Sequence, residues 1–221
     1  MPKAERHSRN HPSLEAEIAS AMQEGILGGQ WNPGDRLVEM ELAQYFGVSQ
    51  GTIRGALKYL QADGLVEHRP RRGNFVIAVS EEDIRDISLM RDALESLGAQ
   101  LAAERIGGEG KARLSAVVDE MRQASARHQR QRLLELDLRF HRTVIEIADS
   151  RLLQEMYKRL EGPALLFLRM ADGFYQEPQA IVDLHEPLLD AICSGDSARA
   201  YELARRHTDR DAGRLTGRYE E

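Results

Sequence analysis

The chain has a single cysteine, Cys193, among its 221 residues. An intrachain disulfide is therefore excluded, as is a thiolate metal cluster within one chain, and a free thiol fits a reducing compartment. No apolar run approaches the length needed to span a bilayer, and the opening MPKAERHSRNHPS has no apolar signal core. The expectation is a cytoplasmic protein with no membrane partner. A net positive charge is also lacking, since the formal charge is −6. That argues mildly against nucleic-acid binding, but a whole-chain sum hides distribution. Residues 1–78 carry nine Lys and Arg against nine Asp and Glu, so all of the negative excess falls later. What is present is a 42% hydrophobic content, which at this length supports two compact domains with buried cores.

The most informative stretch is residues 39–66, EMELAQYFGVSQGTIRGALKYLQADGLV. Leu42, Ala43 and Phe46 share one face of a short helix, and Gly47 supplies the backbone freedom for a sharp turn. Ser49 is a good N-cap for a second helix, in which Ile53, Leu57 and Leu60 recur at helical spacing and face inward. Gln50, Thr52, Arg54 and Lys58 are left outside. Amide, hydroxyl and guanidinium groups on an exposed helix start suit the base edges and phosphates of a DNA major groove, although a plain packed helix pair has the same outline. Residues 65–66 and 74–79 then read as two short strands around the basic turn of Arg69, Arg71 and Arg72, a wing able to hold phosphates beside that groove.

This segment resembles the GntR family of bacterial transcription regulators. The resemblance is carried by Gly34-Asp35-Arg36-Leu37, GVSQGTIRGAL, Asp63-Gly64-Leu65-Val66, Arg72-Gly73 and Val76, in matching order and spacing. It implies a winged helix-turn-helix that contacts double-stranded DNA through Arg36, Ser49, Gln50, Thr52, Arg54, Lys58, Arg71, Arg72 and Gly73. Two positions depart from the family pattern. Gln50 stands where an arginine is usual, so a guanine-reading fork is missing and the family's operator cannot be carried over. Gly55 stands where a glutamate is usual, and with Gly51 it weakens the helix by about 1 kcal/mol per glycine.

In chain order, residues 1–12 form a tail, and a supporting helix from Ser13 to the stop at Gly28-Gly29 opens a DNA-binding domain over residues 13–79. Trp31 is expected against its core. Ser80, followed by three acids, starts a second domain over residues 80–221. Helices are expected over 84–106, 112–126, 132–148, 152–160, 164–171, 182–193 and 197–215, with stops at 107–110, at Gly162-Pro163 and at 173–178. The fold class is thus mainly α: a small winged domain and an all-helical bundle.

Asp137 and His141 lie one helical turn apart among Leu133, Leu134, Leu138, Val144 and Ile145. Such a pair can share a cation or simply a hydrogen bond. His185 and His207 follow in the last two helices beside apolar residues, whereas His7, His11, His68 and His128 have polar surroundings. The region 83–212 resembles the FCD effector domain of the FadR-like branch of the same family. The carriers are Arg91 with Leu94-Glu95, Ala102-Ala103, the run Asp137-Leu138-Arg139-Phe140-His141, His185 with Asp190-Ala191-Ile192, Gly195-Asp196 and His207. The resemblance implies a divalent metal held by Asp137, His141, His185 and His207, zinc or nickel by ligand type, and a small carboxylate as effector. Leu184 replaces a glutamate usual before the third ligand, and Pro187 follows His185 closely enough to alter its helix. Arg91 could grip the effector carboxylate or form a structural ion pair with a neighbouring acid.

The expected function is a ligand-responsive regulator, a repressor acting as a homodimer. An alternative is a metal-dependent enzyme acting on a small carboxylate, with the winged part accessory. A third is a winged module used only for protein association, with a structural metal. The enzyme lacks a second acid or base near the ligands in sequence.

Overall fold

The computed structural model describes residues 13–78, 80–170 and 177–215, leaving aside the side chains of Glu81, 167–170 and 207–215. The tail proposed for residues 1–12 lies outside the described residues. Two compact units divide the chain, Met1–Ile77 and Ala78–Glu221.

The first unit runs α1 (Leu14–Leu27), β1 (Arg36–Leu37), α2 (Glu39–Phe46), α3 (Gln50–Ala62), β2 (Val66–Arg69) and β3 (Gly73–Val76). Ser13 caps α1, its hydroxyl accepting from the Ala16 amide at 3.2 Å. The helix then packs along α3. Ile18, Met22 and Ile26 of α1 are buried, as are Ile53, Ala56, Leu57 and Leu60 of α3. Gly47 ends α2 in the left-handed conformation, φ 66°, where a side chain would be strained. Two residues later the Ser49 hydroxyl accepts from the Thr52 amide at 3.1 Å and starts α3. The turn thus follows from one glycine and one serine.

The sheet has the order β1-β3-β2, all antiparallel. The short strand β1 was not apparent in the sequence, because two residues cannot show an alternation. Trp31 is half-buried, with its ring beside Phe46 and so close to Gly25 that a Cβ there would meet it at 2.3 Å. A Cβ on Gly55 would come within 2.3 Å of the carboxyl carbon of Glu15, the flexible end of an exposed side chain.

The second unit contains α4 (Glu81–Arg105), α5 (Gly108–Ala126), α6 (Arg130–Ile147), α7 (Arg151–Met170), α8 (Pro178–Ser194) and α9 (Ser197–Leu215). Ser80 and Asp83 make a reciprocal capping box at the start of α4. Helices α6, α7, α8 and α9 all pack against α4, which is therefore the central element. Gly98 allows the closest approach, since a Cβ there would lie 2.4 Å from Ile145 Cδ1 of α6.

One expected break is absent and another is shortened. Helix α7 passes through Gly162-Pro163 without stopping. Proline inside a helix costs about 3 kcal/mol, but Leu153, Tyr157 and Ala164 are buried on one face of α7 on both sides of it, and that packing holds the helix together. The stop expected at 107–110 shrinks to Ile106 and Gly107, since α5 begins at Gly108. Helix α8 starts earlier than expected, with Pro178 in its first turn, where a missing amide donor costs nothing. Of the break expected at 173–178, residues 173–176 lie outside the described residues, as does the last residue of the helix expected over 164–171.

Candidate nucleic-acid interface and metal centre

On α3 the inward face of Ile53, Leu57 and Leu60 leaves Gln50, Arg54 and Lys58 exposed, with Thr52 half-exposed. Ser49 and Thr52 are joined hydroxyl to hydroxyl at 2.9 Å, so the cap and the first turn form one polar unit. Arg54 donates from Nε to Glu39 of α2 at 2.8 Å while remaining 61% exposed. An ion pair so exposed is worth at most about 1 kcal/mol, so a phosphate or base edge can replace Glu39 at little cost. The pair holds the guanidinium over the exposed side of α3 without locking it.

The wing is tied to α3 through Asn74, which is 8% exposed and accepts at Oδ1 from Gln61 Nε2 at 2.9 Å. His68 Nδ1 approaches the same oxygen at 3.1 Å. Arg71 and Arg72 are exposed at the tip, Arg71 in the left-handed region at φ 64°. Gly73 has φ 103°, and the exposed Arg36 lies over it. Arg69 behaves differently from its neighbours: it pairs with Glu67 and sits 4.5 Å above the Phe75 ring. Arg36, Arg71 and Arg72 therefore flank the strand pair, while Arg69 is folded back upon it.

In the helical unit one group of polar residues lies inside. Asp137, His141, His185, Arg91 and Glu95 are all buried, His185 completely. Asp137 and His141 come from successive turns of α6 and His185 from α8; one ligand atom from each lies within 4.8 Å of the others. Asp137 Oδ1 is 3.1 Å from His185 Nε2 and 4.0 Å from His141 Nε2. The two Nε2 atoms are 3.4 Å apart. Phe140, next to His141 in the sequence, is fully buried and meets both imidazoles edge-on, with centroids at 5.5 and 4.8 Å. Pro187 leaves His185 aimed at this cluster.

The outer nitrogens decide what the inner ones present. His185 Nδ1 lies 2.7 Å from the Ile181 carbonyl, which can only accept, so Nδ1 carries the proton there. His141 Nδ1 lies 3.1 Å from Glu95 Oε2 on α4. A proton on that nitrogen again leaves the lone pair on Nε2. Burial above all, with the His185 and Arg91 charges acting in the same direction against Asp137, pushes the His141 pKa down to about 3, so the ring is neutral near pH 7. Two imidazole Nε2 atoms and a carboxylate thus converge, a grouping that needs a proton or a cation among its members to be stable when buried.

The residues fit a divalent ion by this measure. Four ligands placed tetrahedrally at zinc–nitrogen and zinc–oxygen bond lengths are separated by about 3.3 Å, and the three separations found here bracket that value. Neutral imidazoles with their far nitrogens anchored are the usual form of metal-binding histidine. His207 falls on α9, but its side chain lies outside the described residues.

Arg91 donates from Nε to Glu95 Oε1 at 2.8 Å, one turn away on α4. Tyr157 of α7 donates its hydroxyl to the same oxygen at 3.0 Å, and burial, followed by the Glu95 charge, raises the pKa of that phenol well above 10. The ion pair foreseen as one of two roles for Arg91 is therefore present. The contact of Glu95 with His141, and the part of Tyr157, were not foreseen. The available signal was a buried acid one turn after a buried arginine on an otherwise amphipathic helix.

The comparisons with known proteins agree with this architecture. Residues 14–76 match the model of the bacterial regulatory proteins of the gntR family, and residues 86–210 match the FCD domain. The HTH-type transcriptional regulator YieP of Escherichia coli is 28% identical, over 91% of this chain and 95% of that one. The HTH-type transcriptional repressor RspR of Escherichia coli is 29% identical, over 74% of this chain and 72% of that one. Among solved structures, E. coli McbR/YncC superposes with a TM-score of 0.76 at 21% identity, covering 95% of this chain and 100% of that one, which establishes likeness of fold. Among the described residues no helix is long and apolar enough to cross a membrane. The chain belongs to the GntR family, with an FCD domain as its second unit, and is a ligand-responsive, DNA-binding transcription regulator rather than an enzyme.

Proposed function

We propose that the protein is a cytoplasmic repressor that binds operator DNA as a homodimer and leaves it when a small carboxylate binds near a divalent metal in the helical unit. The observation that carries the ligand side of this proposal is the convergence of Asp137, His141 and His185 as three buried acceptors. Zinc or nickel suits one carboxylate and imidazole ligands, with His207 as the fourth. When bound, such an ion offers a Lewis-acidic point for an anionic effector. Arg91 is the proposed second anchor, since a guanidinium can offer a carboxylate two parallel donors.

On the DNA side, Gln50, Thr52, Arg54 and Lys58 are proposed to enter the major groove with Ser49 at the helix start. Arg36, Arg71, Arg72 and the Gly73 backbone are proposed to hold phosphates alongside. The sign of regulation follows the repressor RspR, to which this chain is similar. The effector must bind the two arrangements of the dimer with different affinity, or DNA binding cannot respond to it. The proposal is tested by measuring affinity for a fragment of the protein's own promoter region over a salt series, with and without added carboxylates. Steep salt dependence and a carboxylate that lowers affinity are expected; an affinity indifferent to every carboxylate tried at saturating metal overturns the effector assignment.

A further inference from the structure

Glu95 is the buried group that joins the two halves of the proposed effector site. Its Oε2 lies 3.1 Å from His141 Nδ1, and its Oε1 accepts from Arg91 Nε at 2.8 Å and from Tyr157 Oη at 3.0 Å. The carboxylate is 2% exposed, and its partners come from α4, α6 and α7. Burying a carboxylate inside a helical bundle is costly unless it is paired. Here Oε1 accepts two hydrogen bonds, while Oε2 is buried with no hydrogen bond completed and has His141 Nδ1 at 3.1 Å, on an imidazole whose far nitrogen faces Asp137 and His185.

We infer that Glu95 is a positioning residue for the metal centre: by accepting from His141 Nδ1 it fixes the ring's tautomer and orientation and makes Nε2 the stronger donor. The inference rests on the metal reading above. A carboxylate behind a metal-binding histidine increases ligand basicity, and loss of such a partner weakens metal binding by about 10- to 100-fold. In the equivalent place His185 Nδ1 faces a backbone carbonyl, that of Ile181. The two histidines are therefore unequal, and His141 is the one whose donor strength the protein adjusts through a side chain. Because Arg91 and Tyr157 share the other oxygen, Glu95 is also a direct connection between the proposed anion anchor and a metal ligand. An anion that engages Arg91 and an ion held by His141 are then linked, each altering the affinity of the other by the same factor.

The test compares wild type, Glu95→Gln, Tyr157→Phe and His141→Ala as full chains. The dissociation constant for Zn2+ is read by competition with a chromophoric chelator, and the ligand-field absorption of the Co2+-loaded proteins is recorded alongside. Glu95→Gln is expected to lose about 10- to 100-fold in Zn2+ affinity and to shift the Co2+ bands. Tyr157→Phe, which removes one hydrogen bond to Glu95 and leaves the charge, is expected to shift both in the same direction by less. A residue with only a structural role would lower the melting temperature of the metal-free protein without moving the Co2+ spectrum. If Glu95→Gln and Tyr157→Phe match wild type in Zn2+ affinity and spectrum while His141→Ala loses the ion, the positioning role is overturned and the centre stands. If wild type itself takes up no Zn2+ or Co2+, the metal reading fails and the positioning role falls with it.

Discussion

The two units place their polar side chains in opposite ways. In the winged unit the groups proposed to meet DNA are in solvent: Arg54 is 61% exposed even while paired with Glu39. In the helical unit Arg91 and Glu95 are 3% and 2% exposed, and His185 is wholly buried. The difference is the one that the proposed ligands would require. A DNA duplex brings its own dense charge and displaces water and counterions over a broad surface, so the protein side must remain exchangeable and cheaply solvated. A single ion or small anion must be surrounded, which requires donors fixed beforehand in a low-dielectric interior. Loosely held cations and tightly held acceptors are thus two solutions to charge recognition at two scales.

That contrast predicts which substitutions damage which unit. The largest effect is expected inside the bundle. Phe140→Ala removes the ring packed against both imidazoles and should destabilise the helical unit by about 3–5 kcal/mol. Thermal unfolding followed by circular dichroism measures this loss, and equal destabilisation of the winged unit would break the comparison. Next comes Arg54→Ala, expected to weaken operator binding by roughly 1–3 kcal/mol with no change in melting temperature, by fluorescence anisotropy and calorimetry. A marked loss of stability would mean that its pair with Glu39 is structural after all. Ser49→Ala should cost about 1 kcal/mol of winged-unit stability through loss of the cap on α3, measured by denaturant titration. The smallest effect is expected at the tip of the wing. Arg71→Ala should lower affinity for all duplex sequences alike and reduce the slope of log affinity against log salt by about one.

The same contrast explains what the sequence disclosed. The turn between α2 and α3 is written locally, in Gly47 with its left-handed backbone and in Ser49 with its capping hydroxyl, so its placement needed no tertiary information. The solvent-facing cations of α3 and the wing were legible for the same reason, except that Arg69 turned back onto Phe75, a cross-strand contact that linear spacing does not reveal. Pro163 misled in the other direction. Its intrinsic helix-breaking tendency was overridden by burial of Leu153, Tyr157 and Ala164. In the bundle, Asp137 and His141 were visible as neighbours on one helix, and His185 joined them by family resemblance. Glu95 was not assigned to His141, because 46 positions separate them in the sequence and only the packing of α4 on α6 brings them together. Gly55, which looked like a weakness in α3, has over it only the end of the exposed Glu15 side chain, a contact that a larger residue could displace.

The claim on which the ligand side of the account depends is that Asp137, His141 and His185 converge in order to hold a divalent ion. Its most direct test is elemental analysis of the purified full-length chain after exhaustive dialysis, beside His141→Ala and His185→Ala variants whose circular dichroism matches wild type. A stoichiometric transition metal in the wild type, lost in both variants, is the predicted result. Wild-type protein that is properly folded yet retains no metal, and binds none when zinc or nickel is supplied, would contradict it.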